Sequence, residues 1–313
     1  MQKSVRKGFF VGIDGGGTKS RVMVEFEDGR NPVRLQSGPL NLCSTSITDV
    51  TNTISDVFSR ITELVGSFEN CLSVGVGTAG FSNPEVSPLL ETHIRKYIGF
   101  EVPLVIASDA TVALYGAHQK NEGLVLISGT GSVCFGSNGV ISHQVGGAGY
   151  IIDDGGSGYD IGREILAAVV QSKDGRIGPT VLASRLSSLF GYDTKESIIN
   201  WVYNDKTKKN DIAAIASLIT DACRDNDAAA LEIVSRAAER LFFLVETASR
   251  ILALPSGPLA IVGSVLQREP NVRSTLLGLL KTRLPQMVVC EVESNPDLGA
   301  IIMAKNAQRS KTQ

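Results

Sequence analysis

The sequence predicts an α/β protein with two lobes. The chain has 313 residues, of which 43% are hydrophobic, enough for about two domains of roughly 100–200 residues each. A glycine-rich turn between two strand patterns occurs at residues 12–20 and again about 115 residues later, at residues 124–136. We place the N-terminal lobe at residues 1–117, with residues 293–313 packing back on it, and the C-terminal lobe at residues 118–292.

The strand and helix patterns alternate in the first lobe and become mostly helical in the second. In the first lobe we expect strands at 8–13, 20–26, 72–76 and 103–107, and helices at 47–65 and after residue 108. In the second lobe we expect a strand pair within 124–136, strands at 259–262 and 287–292, and helices at 161–172, 180–189, 212–222 and 228–252. The last expected helix, from Pro296, belongs to the segment that packs back on the first lobe.

The composition excludes several classes of function. The net charge is −2 and no long run of one sign occurs, so we expect neither a nucleic-acid partner nor a membrane anchor. The apolar run near the amino terminus is too short for a signal peptide. The five cysteines stand singly, without the spacing of a zinc site: Cys43, Cys71, Cys134, Cys223 and Cys290. These observations predict a cytoplasmic protein with reduced thiols.

The first glycine turn, GIDGGGTKS, is suited to binding phosphate. Glycines remove side chains and allow several backbone N–H groups to point at one anion. A P-loop does not fit, because Lys19 follows Thr18 and precedes a strand pattern where a P-loop requires a helix. Asp14, at a strand end beside the turn, is a candidate ligand of hydrated Mg²⁺. The alternative interpretation is a glycine hairpin without a ligand.

The second glycine turn, residues 128–132 (SGTGS), offers the same donors together with hydroxyl groups. Alone, such a turn is a weak signal, since it is also typical of an ordinary tight turn. Two of these turns facing one another could bind a triphosphate from both sides. The pair is therefore more specific than either turn.

Asp109 lies where a predicted strand ends and a helix begins. In α/β sheets, ligands bind at that edge. The carboxylate is a candidate general base for phosphoryl transfer to an alcohol. The alternative is that Asp109 only caps the helix, as aspartates often do.

Two further stretches carry candidate binding residues. Residues 146–165 are rich in glycine and include Asp153 and Asp154, whose carboxylates could accept hydrogen bonds from sugar hydroxyls or simply lie in a solvated turn. Gly263 and Ser264 follow a strand, where a purine could approach the backbone. An ordinary turn between strand and helix is the alternative.

Taken in order, these motifs resemble one family. GIDGGGTKS, SDATVALYGA, SGTGS, DDGGSGYDIG, IVGSV and PDLGAIIMA are similar to the motifs of the N-acetylglucosamine kinase branch of the sugar-kinase, Hsp70 and actin superfamily, in the group that contains the BadF/BadG-type ATPases. The resemblance spans nearly the whole chain. It implies two ribonuclease-H-like, actin-like ATPase lobes, with ATP, Mg²⁺ and the sugar bound in the cleft between them.

The resemblance also implies a role for each matching residue. Asp14 serves Mg²⁺, Asp109 is the catalytic base, and Asn41, Gly147, Asp153 and Asp154 join Asp109 at the sugar. The nucleotide residues are Gly16, Gly17, Thr18, Lys19, Gly129, Thr130, Gly131, Gly263 and Ser264.

The sugar loop departs from the family pattern GGWGYLLGDEGSG, and three of the changes alter the kind of side chain. Ala148 replaces the tryptophan, Asp153 a glycine and Gly155 the glutamate. We therefore expect an ATP-dependent amino-sugar kinase acting on the 6-hydroxyl of N-acetylglucosamine, with glucosamine and N-acetylmuramic acid as alternative acceptors. Loss of the tryptophan opens space for a bulkier sugar, and Asp153 could attract cationic glucosamine.

Two alternative functions remain from other classes. A BadF-type ATPase activator of an iron–sulphur enzyme would need cysteine thiolates arranged around a cluster at a dimer interface. A binding protein without catalysis would have no use for both Asp14 and Asp109. The resemblance also implies a homodimer.

Overall fold

The computed structural model describes residues 8–16, 19–42, 45–78, 81, 83–290 and 296–312. The chain divides into two compact units, residues 1–121 with 293–313 and residues 122–292. Each unit is built on one five-stranded sheet. The two sheets contain the strand pairs expected on either side of both glycine turns.

The first unit contains five strands and four helices among its described residues. The strands are β1 (Phe9–Gly15), β2 (Ser20–Phe26), β3 (Val33–Ser37), β4 (Cys71–Thr78) and β5 (Leu104–Ser108). The helices are α1 (Ile47–Val65), α2 (Val86–Ile98), α3 (Asp109–His118) and α12 (Pro296–Thr312). The sheet order is β3-β2-β1-β4-β5, with β1, β4 and β5 parallel and the other pairs antiparallel.

The second unit repeats this topology with many more helices. Its strands are β6 (Glu122–Ser128), β7 (Ser132–Asn138), β8 (Ser142–Gly146), β9 (Pro258–Val262) and β10 (Val288–Cys290). Its helices are α4 (Gly158–Lys173), α5 (Val181–Phe190), α6 (Lys195–Val202), α7 (Lys209–Ala214), α8 (Ile219–Arg224), α9 (Ala228–Ile251), α10 (Ser264–Arg268) and α11 (Pro270–Arg283). The sheet order, β10-β9-β6-β7-β8, is the order of the first sheet read from its other edge.

The single helix expected at residues 212–222 is wrong. The chain there forms α7, a 3₁₀ turn at Ile215–Leu218 and then α8. No glycine or proline interrupts this stretch, so no local signal marks the break. Tertiary packing accompanies it: a Cβ added at Gly162 of α4 would lie 2.0 Å from the Ile212 carbonyl oxygen, so the two helices pack backbone against backbone.

Strands β3 and β8 were not expected. In β8 the first three residues are exposed, so this edge strand lacks the apolar alternation that identifies a half-buried strand. It pairs with β7 through backbone hydrogen bonds. In β3, Val33 and Leu35 are only partly buried, and the strand forms the edge of the first sheet.

Glycines in β1 and β4 allow α12 to lie directly on the first sheet. A Cβ added at Gly75 would lie 2.3 Å from the Ala300 carbonyl oxygen, and one at Gly12 would lie 2.6 Å from the Ile301 backbone nitrogen. Both obstacles are backbone atoms, which cannot rotate away. This close approach brings the first turn of α12 to the edge of the sheet where β1 ends.

Replacing Gly75 by alanine should therefore destabilise the first unit. The added methyl group must push α12 away from β4, at a cost of about 1–3 kcal/mol for an overpacked core. Chemical unfolding followed by circular dichroism measures the change. The matched control is Gly278→Ala in α11. A Cβ added at Gly278 would have no atom from outside its own stretch of helix within 4 Å, so alanine there should be neutral or stabilising by about 0.5–1 kcal/mol. Equal stability of Gly75→Ala and wild type would contradict the packing described.

Candidate active site

The glycine turn between β1 and β2 is a tight hairpin. The Gly16 N–H donates to the Lys19 carbonyl at 3.1 Å, which closes the turn. The Lys19 residue is exposed. Gly17 and Thr18, two of the predicted phosphate contacts, lie outside the described residues. The residues on either side of them thus form the closed base of the turn.

Asn41, a predicted sugar contact, follows a segment that is tied to this turn. The Leu40 N–H donates to the Gly16 carbonyl at 3.1 Å, and Thr78 Oγ1 donates to the Leu40 carbonyl at 2.9 Å. A Cβ added at Gly15 would lie 2.7 Å from Leu40 Cβ. The chain leading into Asn41 is therefore fixed against the hairpin, and Asn41 itself is half-buried.

Asp14 lies near the carboxyl end of β1, on the face that α12 covers. Side chains alternate along a strand, and Phe10, four residues earlier, packs against α12. Burial raises the pKa of Asp14 to about 6, while Arg21, whose Nη1 lies 3.8 Å from Asp14 Oδ2, lowers it; the negative charges of Asp109 and Asp297 raise it further. The carboxylate is therefore placed where a cation would stabilise its charged form.

Asp109 lies at the same edge of the sheet. Asp14 pairs with Gly77 of β4, and the next residue, Thr78, pairs with Ser108 of β5. One strand separates the two aspartates, so their backbones are about 10 Å apart at the usual strand spacing of roughly 4.8 Å. The predicted magnesium ligand and the predicted base thus share one edge of one sheet.

The alternative that Asp109 serves as the cap of α3 is wrong. The cap is Ser108, whose Oγ accepts the Thr111 N–H at 3.1 Å. Asp109 is the first helical residue, and its Oδ1 accepts the Ala110 N–H at 2.9 Å. Its side chain still reaches solvent, yet partial burial raises the pKa of Asp109, opposed by the bond from Ala110. A raised pKa favours taking up a proton.

Asp297, in the first turn of α12, is a further carboxylate of this edge. It is 3% exposed. Arg34 Nε donates to its Oδ2 at 3.0 Å, whereas none of the residues that the structure describes donates to its buried Oδ1. Buried polar atoms without a partner are rare in proteins and commonly mark an ion or a water molecule.

In the second unit, the SGTGS loop (residues 128–132) is held by the DGGSG segment (residues 154–158). Gly158 N–H donates to the Gly129 carbonyl at 2.7 Å. Ser128 Oγ and Ser132 Oγ donate to the carbonyls of Gly156 and Gly155 at 2.9 and 2.8 Å. The two stretches are therefore one interlocked unit, although 22 residues separate Ser132 from Asp154.

Asp154, a predicted sugar ligand, has both carboxylate oxygens engaged within this unit. Its Oδ1 accepts the Ser132 N–H at 3.0 Å, and its Oδ2 accepts Lys209 Nζ at 2.7 Å. A Cβ added at Gly131 would lie 2.8 Å from Asp154 Oδ1. The buried carboxylate thus lies directly against the SGTGS loop and brings the Lys209 ammonium close to it.

The residues before the DGGSG segment form a loop of their own. Asp153 Oδ2 accepts the Ala148 N–H at 3.0 Å, which holds the loop across its base. Gly147 has a positive φ of 77°, a conformation that favours glycine. The exposed side chains of Ile151 and Ile152 follow. The Asp153 carboxylate therefore shapes the loop in which it lies.

Gly263 and Ser264 lie against the SGTGS loop. A Cβ added at Gly263 would lie 2.2 Å from the Ser128 carbonyl oxygen, and the φ of Gly263 is 105°, so only glycine fits. A Cβ added at Gly129 would lie 3.6 Å from Ser264 Oγ. This contact brings the predicted adenosine residues to the predicted phosphate residues.

A cavity of about 390 Å³ opens beside this contact, entirely within the second unit. Its walls come from the SGTGS loop, α4, α7 with the following 3₁₀ turn, and α10. They include Gly129, Thr130, Gly158, Asn210, Ala213, Ala214, Ala216, Ser217, Ser264, Val265, Arg268 and Glu269. The volume falls within the range of about 300–1,000 Å³ that is usual for small-molecule sites.

The whole-chain comparison identifies the family. The model of the BadF/BadG/BcrA/BcrD ATPase family matches residues 11–304. The chain belongs to this family.

Two known kinases are similar to this BadF/BadG/BcrA/BcrD family member over nearly the full length of both chains. An N-acetylmuramic acid/N-acetylglucosamine kinase of Clostridium acetobutylicum is 29% identical over 95% of this chain and 98% of its own. An N-acetyl-D-glucosamine kinase of Dictyostelium discoideum is 28% identical over 97% and 99%. A solved structure from Chromobacterium violaceum, a candidate N-acetylglucosamine kinase, has a TM-score of 0.75 at 22% identity, covering 95% of this chain and 99% of its own. These matches confirm the predicted resemblance and the actin-like fold.

The described cysteines of the family member stand singly, and three of them (Cys71, Cys134 and Cys223) are buried, whereas Cys290 is half-buried. Cys134 is fully buried in β7, and burial raises its pKa to about 12, so a thiolate is disfavoured there. Among the described residues, no group of three or more histidine, cysteine or acidic side chains could hold a metal ion. Cys43 lies outside the described residues. The described thiols thus offer nothing that favours the iron–sulphur activator.

No helix in the described ranges is long and apolar enough to cross a membrane.

Several residues of this ATPase-family site were missed from sequence. Lys209, Asn210 and Glu269 lie on helices or helix ends that carry no recognisable motif, so only the fold brings them to the glycine loop. Asp297 had a weak signal as an acidic residue in a first helical turn. That signal predicts a dipole interaction and not a buried, half-paired carboxylate.

The ion pair of Lys209 with Asp154 should stabilise the SGTGS loop. Lys209→Met leaves the buried Asp154 carboxylate without its cation, and we expect a loss of about 1–3 kcal/mol in the free energy of unfolding. Adding Asp154→Asn should recover part of this loss, because the amide needs no cation. Lys206→Met, on an exposed neighbour, is the matched control and should be silent. Strictly additive effects in the double variant would contradict a direct pair.

Proposed function

We propose that this protein is an ATP-dependent amino-sugar kinase that phosphorylates N-acetylglucosamine at its 6-hydroxyl. The observation that carries the proposal is the interlocked SGTGS loop beside a cavity of nucleoside size in a member of an ATPase family. Both full-length relatives named above are amino-sugar kinases, which supports the same class of acceptor for this chain.

The nucleotide would be held by backbone groups. Gly129 lines the cavity and carries no Cβ, and the nearest atom to one added there would be Ser264 Oγ at 3.6 Å, so the loop backbone can approach phosphate oxygens closely. The triphosphate supplies the phosphoryl group. Gly16, Gly17, Thr18, Lys19, Gly129, Thr130 and Gly131 are the proposed phosphate contacts, and Gly263 and Ser264 are proposed to lie by the adenosine.

The carboxylates of the first unit fit Mg²⁺. This ion prefers oxygen ligands, keeps several waters, and is usually bound through one or two carboxylates together with phosphate oxygens. Asp14 would hold it, and the unpartnered Oδ1 of Asp297 would accept a hydrogen bond from one of its waters. Bound Mg²⁺ neutralises charge that develops on the phosphates.

Asp109 would act as the general base. It has a raised pKa and an accessible side chain, and Ser108 performs the capping, so its carboxylate is available to accept the proton of the attacking hydroxyl. A primary hydroxyl suits this role because it can reach a base while the ring is held elsewhere. Asn41, Gly147, Asp153 and Asp154 are the proposed ring-binding region.

The acceptor could differ from N-acetylglucosamine. Ala148 leaves room for the larger N-acetylmuramic acid, a substrate named for the Clostridium relative. Glucosamine is the other alternative, through attraction to Asp153. The hydrogen bond from the Ala148 N–H to Asp153 favours the interpretation that this carboxylate shapes the loop over the interpretation that it recognises the charge of the sugar.

We further propose that the protein is a cytoplasmic homodimer, on the basis of the family resemblance.

A coupled assay of ADP release across sugars and amino sugars tests the function. We expect turnover with N-acetylglucosamine or N-acetylmuramic acid and a requirement for Mg²⁺. Asp109→Asn should reduce turnover by about 10²–10⁴-fold while nucleotide binding persists, the usual scale for loss of a general base. A variant with more than a tenth of the activity would remove Asp109 from the mechanism. Turnover confined to glucose or another polyol would exclude an amino-sugar acceptor.

The role of Asp153 is tested by Asp153→Gly. Because its carboxylate holds the Ala148 N–H, we expect similar losses of kcat/KM on N-acetylglucosamine and on glucosamine. If Asp153 instead faces an ammonium group, kcat/KM should fall much more on glucosamine than on N-acetylglucosamine. The difference between the two losses should shrink as the salt concentration rises. Measuring both sugars at two ionic strengths separates the two roles.

A further inference from the structure

A buried carboxylate, Glu269, lies in the wall of the 390 Å³ cavity. It is 7% exposed. Its N–H donates to the Val265 carbonyl at 2.9 Å, and its carbonyl accepts the Arg273 N–H at 3.1 Å. The residue therefore closes α10 and opens α11, so two helices fix its backbone and give its side chain a defined origin.

The partner that the structure shows for this carboxylate is a neutral hydroxyl. Thr220 Oγ1 donates to Glu269 Oε2 at 2.6 Å. Two carboxylate oxygens accept at about four sites, so one donor leaves most of the accepting capacity open. Burial raises the pKa of Glu269, and the bond from Thr220 opposes this rise. A ligand with hydroxyl donors would compensate the buried charge.

The position of Glu269 along α10 indicates which part of a nucleotide it meets. Ser264, at the start of α10, lies against Gly129 of the SGTGS loop. Glu269 follows five residues later, roughly 7.5 Å along the axis at about 1.5 Å per residue. In a nucleotide the ribose adjoins the phosphates and the base lies beyond it. The alanines of the other wall, Ala213, Ala214 and Ala216, offer apolar surface for a base.

We propose that Glu269 binds the ribose of the nucleotide, its carboxylate accepting hydrogen bonds from the 2′- and 3′-hydroxyls. The inference rests on the proposed function only in that the cavity takes an adenine nucleotide. An acidic side chain that accepts the ribose 2′-hydroxyl is a recurrent solution in dinucleotide-binding folds. Glu269 thereby selects ribonucleotides over deoxyribonucleotides, since a missing hydroxyl leaves a buried carboxylate with one donor fewer than the ribonucleotide supplies.

Calorimetric titration of the purified protein, without sugar, tests this assignment. The probes are ADP, 2′-deoxyADP, 3′-deoxyADP and inosine diphosphate. Wild type should bind ADP about 10- to 100-fold more tightly than 2′-deoxyADP, the scale of a hydrogen bond to a charged group. In Glu269→Gln this ratio should fall by about 5-fold or more, because a neutral amide is the weaker acceptor.

Asp221→Asn is the matched control. Asp221 is an exposed neighbour whose charge acts on Glu269, and it does not line the cavity. Its substitution should leave the ratio of ADP to 2′-deoxyADP unchanged. Equal binding of ADP and both deoxy nucleotides by wild type overturns the proposal, even if Glu269→Gln fails to fold. A change in Glu269→Gln that affects the ratio of ADP to inosine diphosphate alone also overturns it, since the carboxylate would then read the base.

Different results would contradict the proposed kinase function and the proposed role of Glu269 in ribose binding. Absence of binding for every nucleotide overturns the ATP-dependent function and the ribose assignment together. Ribose discrimination without phosphorylation of any sugar supports the role of Glu269 and overturns the kinase. Phosphorylation of a sugar with equal use of ATP and 2′-deoxyATP supports the kinase and overturns the role of Glu269.

Discussion

The hydrogen bonds between the SGTGS loop and the DGGSG segment are the interaction on which the second unit's site depends. Four of them join the two stretches, one from a backbone N–H to a carboxylate, one between backbones and two from serine hydroxyls. Backbone groups can bind an anion only if they are rigid and point outward. The interlock supplies that rigidity by satisfying the inward-facing groups, which leaves the outward-facing ones for a ligand.

The adjacent residues Asp153 and Asp154 have different structural roles in this arrangement. Asp154 is buried and has a donor on each carboxylate oxygen, and its positive φ of 65° is one that few residues other than glycine adopt. Asp153 points to its own loop and holds the Ala148 N–H. The first aspartate thus joins two stretches of chain, while the second shapes one. A single peptide bond therefore separates a carboxylate that joins two stretches of chain from one that acts within its own loop.

The sequence predicted most of the fold, and in the candidate site it identified the glycine loops but not the residues that only the fold brings to them. Glycine turns and alternating apolar residues depend on local backbone chemistry, so β1, β2, β6 and β7 could be recognised without a structure. Residues such as Glu269 and Asp297 could not, because their roles come from burial and from partners distant in the chain. The break between α7 and α8 was missed for the same reason: packing of α4 against Ile212 has no local signature.

The close packing around Gly263 and Gly131 restricts which substitutions this protein can accept during evolution. A side chain at Gly263 would collide with the Ser128 backbone and one at Gly131 with the Asp154 carboxylate, so substitutions at these two positions should destabilise the loops before they alter any nucleotide preference. The cavity wall is free of that restriction, since Asn210 is exposed and Ser217 lies on a surface turn. New nucleotide preferences should therefore arise, in nature or by directed evolution, through the helices of the wall while the glycine loops stay constant.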